Sequence, residues 1–209
     1  MELIPSARHM GTSTESGMLP GFSIAIFDRF LHTPASCMDE IRTARLVLRR
    51  PQSTDWDDFA RMHQNPKVMA TLGGLWTEDK LRAWFEKVLA HWEKHQFGWW
   101  MARDLESGVF LGRGGLATMT VDGRNEVEVG YGFLPEFWGR GLATELARES
   151  VRVGFGALRL PELVSFTLVS NLASRRVMEK VGFRYERDFV YFDLPHVLYR
   201  QFNSIAHTA

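Results

Sequence analysis

The run VEVGYGFLPEFWGRGLATE, residues 127–145, constrains this chain more than any other stretch. Val127, Val129, Tyr131 and Phe133 recur at period two, as the side chains on one face of a strand must. Pro135 has no N–H to give to a ladder, so the strand ends before it. Gly139, Arg140 and Gly141 then lead into residues 142–155, where Leu142, Leu146 and Val153 keep a helical period. A helix that opens from a glycine turn presents unpaired N–H groups and the positive end of its dipole, which predicts an anion site above residues 139–144. The run is not a P-loop, because no Gly-Lys-Ser/Thr ends it, and its glycines are spaced differently from the dinucleotide fingerprint. Spacing alone leaves two readings open, a phosphate-bearing ligand or a tight connection with nothing above it.

The other segments arrange themselves around this unit. Residues 1–37 are polar, aperiodic and punctuated by Gly, Ser, Thr and Pro, the composition of a poorly ordered extension that is either native or an over-extended start before Met38. Within it only residues 22–31, FSIAIFDRFL, are apolar enough for a short helix or strand, and they lack the flanks of a signal peptide. A domain is expected over residues 38–203, with 204–209 as a tail. Leu46 and Leu48 mark a first strand ended by Pro51. Thr54 is placed to cap a helix carrying three aspartates in its first turn, and Asn65-Pro66 breaks that helix. Thr77 caps an amphipathic helix whose buried stripe is Leu81, Trp84, Phe85, Val88, Leu89 and Trp92, with His91 and His95 on its exposed side. Two antiparallel strands follow, the second weakened by Gly112, Gly114 and Gly115, which mark a bulge. Asp122-Gly123 turns the chain into the central strand. Beyond the glycine turn come a strand after Pro161, a helix over NLASRRVMEKVGF closed by Gly182, and two strands around Leu194-Pro195.

Composition narrows the partners. The 25 Lys and Arg balance 25 Asp and Glu, which argues against nucleic acid or an anionic membrane surface. Cys37 is the single cysteine, so neither an internal disulfide nor a cysteine metal cluster is expected, and a reducing, cytoplasmic setting fits. No apolar run reaches the ~20 residues of a membrane helix.

Two stretches together carry a family resemblance. WGRGLATE after a strand and a proline is similar to motif A of the GNAT acetyltransferases, Gln/Arg-x-x-Gly-x-Gly/Ala. Trp138 holds the Gln/Arg position, as is usual in the RimJ/RimL-like branch. Asn171-x-x-Ser174, followed by Glu179-Lys180-x-Gly182-Phe183, resembles motif B of the same family. The resemblance spans residues 41–202. It implies an α/β (α+β) GNAT fold, a mixed, mostly antiparallel sheet of about seven strands with helices on both faces, splayed at the central strand. It also implies acetyl-CoA as cosubstrate and no metal. The pyrophosphate would lie on the N–H groups of Gly139, Arg140, Gly141, Leu142, Ala143 and Thr144, and the pantetheine would pair with the backbone of Phe133 and Leu134. Asn171 would bind cofactor, order the cleft, or simply cap its helix.

Transfer of an acetyl group to an amine needs the donor held, the amine neutral and the leaving thiolate protonated. Glu126 and Glu128 are two apart on the central strand and face one side; Glu128, nearer the splay, is favoured as base, against the plain alternative that both face solvent. An α-amine, with a pKa of ~7.7–8.0 against ~10.4 for lysine, needs little help to become neutral. Ser174 matches the serine that RimL-like enzymes place near the CoA sulfur. Many GNAT enzymes carry a tyrosine one turn on, where this chain has Met178, which donates no proton. Ser174 is therefore the expected acid. The Arg140 side chain points to phosphate or to water, and His196 lines the acceptor cleft or packs. The resemblance implies an acceptor amine on a protein N-terminus, an amino acid or a small molecule, and a monomer or homodimer. A non-catalytic acyl-CoA-binding module and an enzyme for longer acyl-CoA are the other readings.

Overall fold

The computed structural model describes residues 36–204. The readings of residues 1–35 and 205–209, including the apolar run at 22–31, lie outside the described residues. The central strand is β5 (Arg124–Phe133), and everything else is placed by what flanks it. Before it come α1 (Ser36–Asp39), β1 (Glu40–Arg42), β2 (Leu46–Arg49), α2 (Trp56–His63), α3 (Pro66–Met69), α4 (Glu78–His95), β3 (Trp99–Asp104) and β4 (Phe110–Val121). After it come α5 (Leu142–Arg152), β6 (Glu162–Leu168), α6 (Leu172–Lys180), β7 (Arg184–Tyr191) and β8 (Leu194–Phe202). The strands form one sheet in the order β1-β2-β3-β4-β5-β6-β8-β7, with every pair antiparallel except β5–β6. Among the described residues there are eight strands rather than about seven. Thr43 donates its N–H to the Leu46 carbonyl at 2.9 Å, and this tight turn folds Glu40–Arg42 back onto β2 as a separate strand.

Side-chain alternation builds two cores. Trp100, Ala102 and Leu111 pack with Val129 and Phe133, and with Leu142, Leu146 and Met178 of the following helices. Met101 and Phe110 point the other way, into Phe59 and Met62 of α2 and Leu81 and Phe85 of α4. Helices thus cover both faces, so β5 is buried from both sides. Among the described residues no helix is long and apolar enough to cross a membrane.

Four local expectations change in three dimensions. Thr54 does not cap α2. Residues Ser53–Asp55 form a 3₁₀ turn, Asp55 occupies the cap position, and its carboxylate is buried between Arg49 at 2.6 Å and Arg103 at 3.1 Å. His91 is half-buried rather than exposed: Nδ1 meets the Phe97 carbonyl at 2.9 Å and Nε2 accepts from the Thr118 N–H at 3.0 Å. The bond accepted at Nε2 needs the neutral ring, and burial lowers its pKa to about 4. The last hairpin turns at Phe192 and Asp193, both with positive φ, while Pro195 lies inside β8 opposite Val190. The register shift of β4 falls against Ala102 and Arg103, beside Gly112, and the glycines themselves keep register with β5. Asn65-Pro66 does end one helix, and it also starts another, with Asn65 Oδ1 accepting from the Lys67 N–H at 3.0 Å.

Candidate active site

The pairing of β5 with β6 is confined to Glu128 opposite Val164. One residue on, the Val129 carbonyl takes a 2.7 Å hydrogen bond from the buried Ser165 hydroxyl, so a side chain satisfies the group where the ladder stops. On its other edge β5 stays paired with β4 as far as Phe133. The sheet therefore opens on one side of β5, beginning at Glu128.

The two glutamates have separate fates. Glu126 is held by both terminal nitrogens of Arg200, at 2.8 and 3.1 Å, with side-chain exposures of 4% and 7%. It is committed to that pair. Glu128 is buried, and among the described residues no ion pair within 4.0 Å engages it. Burial raises its pKa to about 7, against the opposing pull of Arg113. A carboxyl poised there is ionised over half the physiological range and can still take a proton.

Around Glu128 lie groups that sequence reasoning missed. Arg113 of β4 stacks over the Trp99 ring, 3.8 Å from its centroid, and lies 5.5 Å from that of Trp84. Gly130 and Gly132 make room there: a Cβ on Gly130 would lie 3.3 Å from Trp99, and one on Gly132 only 2.6 Å from Met62. His63 of α2 sits against Trp84, its Nδ1 bonded to the Phe59 carbonyl at 2.8 Å. Burial, then the Arg113 charge, hold its pKa down to about 3, so Nε2 is a bare acceptor. Tyr191, whose phenol is raised chiefly by burial and further by Glu128, closes the side toward β7. His196 packs against Phe166, Phe189 and Tyr191.

On the opposite face of β5, Tyr131 reaches α6. Its hydroxyl lies 3.0 Å from both the carbonyl and the hydroxyl of Ser174. Tyr131 is held above the ordinary phenol range, mainly by burial, so it keeps its proton. Met178 is buried in the core. Asn171 caps α6, its oxygen accepting from the Ser174 N–H at 3.2 Å and its nitrogen donating to Thr167 at 3.0 Å. The Asn-x-x-Ser spacing is thus a working cap that sets Ser174 facing Tyr131.

The glycine turn has the form expected. Gly139 and Gly141 have φ of 73° and 78°, in the left-handed region that glycine tolerates, and no side chain caps α5. A Cβ on Gly139 would meet nothing within 4 Å. The N–H groups of Leu142, Ala143 and Thr144, in the first turn of α5, have no helical partner. These residues fit a pyrophosphate. The Arg140 guanidinium stands 5.8 Å from the Phe137 ring, while its carbonyl accepts from Arg45 at 2.8 Å. Arg45 also grips Glu145 of α5, which places a second cation beside the turn. No local pattern signals that contact.

The backbone expectation divides at Leu134. Its N–H already donates to Leu111 at 2.9 Å and its carbonyl accepts from Phe137 at 3.0 Å, so it has no free N–H for pantetheine. By the alternation of an antiparallel ladder, the Phe133 N–H points to the opened side. The Phe133 carbonyl accepts from the Trp138 indole at 2.7 Å. Two broad surface depressions, one by Trp56 and Asn65 and one by Arg49 and Glu93, lie away from this constellation. No cluster of three or more metal-ligating side chains is found among the described residues.

Comparison with known proteins finds relatives of this sequence and this fold. A family model described as an acetyltransferase (GNAT) domain matches residues 45–184. FsC-acetyl coenzyme A-N(2)-transacetylase of Aspergillus fumigatus is 32% identical over 168 residues, covering 74% of this chain and 69% of the relative. The protein YkkB of Bacillus subtilis is 28% identical over 160 residues, 76% of this chain and 93% of its own length. The crystal structure of an acetyltransferase from Agrobacterium tumefaciens superposes with a TM-score of 0.69 at 26% identity, over 78% of this chain and 93% of that one. Spermidine N-acetyltransferase of Vibrio cholerae, solved with CoA and spermine, shares the fold with a TM-score of 0.64 at 19% identity, over 78% and 98%.

Proposed function

The chain belongs to the GNAT acetyltransferases and is an acetyl-CoA-dependent N-acyltransferase, and from that premise we propose that it acetylates a primary amine by direct attack in a ternary complex, with Glu128 as base and Ser174 as acid. The observation that carries the reading is the position of Glu128. It is the last β5 residue paired with β6, and it brings an unpaired, buried carboxyl with a pKa near 7 to the apex of the opening.

Acetyl-CoA, when bound, supplies the acetyl group as an activated thioester. The N–H groups of residues 139–144 hold its phosphates, with Arg45 and Arg140 adding positive charge, and Phe133 offers its N–H along the opened edge of β5. Ionised Glu128 takes the proton of the incoming amine, directly or through a water, so that the nitrogen lone pair is free. The C–N bond forms as the C–S bond breaks. Ser174 gives its Oγ proton to the departing sulfur and regains one from solvent, to which the nitrogen releases its second proton, while Tyr131 keeps its own proton and holds the Ser174 hydroxyl in place. Low net charge and the buried setting of Glu128 favour a small-molecule amine over a macromolecular surface.

The test pairs calorimetry against acetyl-CoA with release of free thiol over a panel of amines and N-terminal peptides. Micromolar binding with amine-dependent release is expected. Absence of binding would remove the role given to the glycine turn, and binding without release from any acceptor would remove catalysis. Gly141→Ala is expected to weaken CoA binding and to cost about 1–3 kcal/mol, because a Cβ is strained in the left-handed region. Unchanged affinity by calorimetry with an unchanged denaturation midpoint would contradict it.

A further inference from the structure

Proton transfer accounts for Glu128 but leaves Arg113 and Trp99 unexplained. Among the described residues, Arg113 is 5% exposed, its Nε has no hydrogen-bond partner, and no carboxylate pairs with it within 4.0 Å. The Trp99 indole N–H is also buried without an acceptor. The Glu128 charge acts on Arg113 only from beyond ion-pair distance, and a buried guanidinium without a contacting partner is costly, as is an unsatisfied buried donor. Burial lowers Arg113 only to about 10, so it stays charged at neutral pH. Stacking on Trp99 holds the guanidinium plane, leaving its N–H edge for a partner. One donor and the base share one spot: the Trp99 Nε1 and a Glu128 carboxyl oxygen lie 3.4 and 3.5 Å from where a Cβ on Gly130 would sit, and Arg113 stacks on the same indole. Gly130 and Gly132 add no side chain of their own to that floor, which the Trp99 ring and the Met62 methyl approach. That spot therefore brings a proton acceptor together with two unsatisfied donors, one of them cationic.

We infer that the acceptor is an α-amino acid with a free carboxylate, which meets Arg113 and the Trp99 N–H while the ammonium group faces Glu128. An amine and a carboxylate on one carbon match that juxtaposition. A polyamine would bring a second positive charge toward Arg113. A peptide N-terminus would offer only a neutral carbonyl, a weaker partner than a carboxylate. This assignment rests on the role proposed for Glu128 and names the substrate class of the same site.

The test is calorimetry of the full-length protein saturated with CoA against the twenty standard amino acids, followed by the carboxamide of each that binds. At least one amino acid is expected to bind, and its carboxamide about 10- to 100-fold more weakly, the range for losing hydrogen bonds to a charged group. Arg113→Met should erase that difference, and Arg113→Lys should keep part of it, since an ammonium retains the charge without the fork. CoA affinity, set at the distant glycine turn, reports whether each variant is folded. No bound amino acid, or equal affinity for acid and amide, overturns the inference. Selective binding without thiol release would sustain this pocket and remove the transfer reading. Release with spermidine or peptides but with no amino acid would do the reverse.

Discussion

Glu128→Gln is expected to lower turnover by about 10²- to 10⁴-fold, the usual contribution of a positioned base, with little effect on the affinity for acetyl-CoA. The wild-type protein should show kcat/KM rising through about pH 7 to a plateau, because only the ionised carboxyl accepts a proton and burial sets its pKa there. That limb should vanish in the variant. Stability should move the opposite way. The folded pKa lies above the ordinary carboxylate value, so the protonated form is the one that folding favours. Its stabilisation is complete below about pH 4.5 and is lost as pH rises through about 7. A shift of that size corresponds to about 3 kcal/mol, so Gln, which resembles the protonated form, should be more stable than wild type at pH 8 by up to that amount and equal to it at pH 4. Activity profiles and urea melts at the two pH values read both effects. A variant that keeps its turnover would end the case for Glu128 as base. One that loses turnover and is also destabilised at pH 8 would mark the residue as structural.

Arg200→Ala should be among the most damaging single changes, costing about 3–5 kcal/mol, because it strands charges already taken out of water. Arg200 meets Glu126 at 2.8 and 3.1 Å and Glu162 at 3.0 Å, and it also reaches Glu186, so one guanidinium ties β8 to β5, β6 and β7. These carboxylates in turn hold Arg200 above its ordinary range, with Glu126 the largest cause. The double change Arg200→Met with Glu126→Met should recover much of the loss, since an apolar pair of similar volume is often neutral where a broken ion pair is not. Denaturant midpoints of the two proteins decide it. A single-variant loss below about 1 kcal/mol would show the network to be solvated like a surface pair.

Much of the architecture was readable locally. Period-two and helical spacing placed β5 and α4, Thr77 caps α4 as expected with its hydroxyl accepting from Lys80, and Gly182 closes α6 with φ of 101°. Each of these depends on neighbours a few residues away, which a linear reading contains. Thr54 failed as a cap because the next residue, Asp55, had Arg49 and the sequence-distant Arg103 to meet, and a buried ion pair outweighs a helix end. His91 failed as an exposed residue for a similar reason: Thr118 of β4 lies opposite it.

The motif residues of the site were readable, and their partners were not. By itself the sequence determined the glycine turn, the Asn171 cap and the pair of glutamates on one strand face, since backbone conformation and side-chain period are properties of consecutive residues. It favoured Glu128 over Glu126 by position alone, because what separates their surroundings is Arg200, 74 residues away from Glu126 in the chain. Nor did it bring Arg113 onto Trp99, Arg45 to the glycine turn, or Tyr131 to Ser174. Those contacts form across strands and helices, and burial there sets which charges are paired and which stay available, so only the tertiary structure decided which glutamate is left without an ion pair.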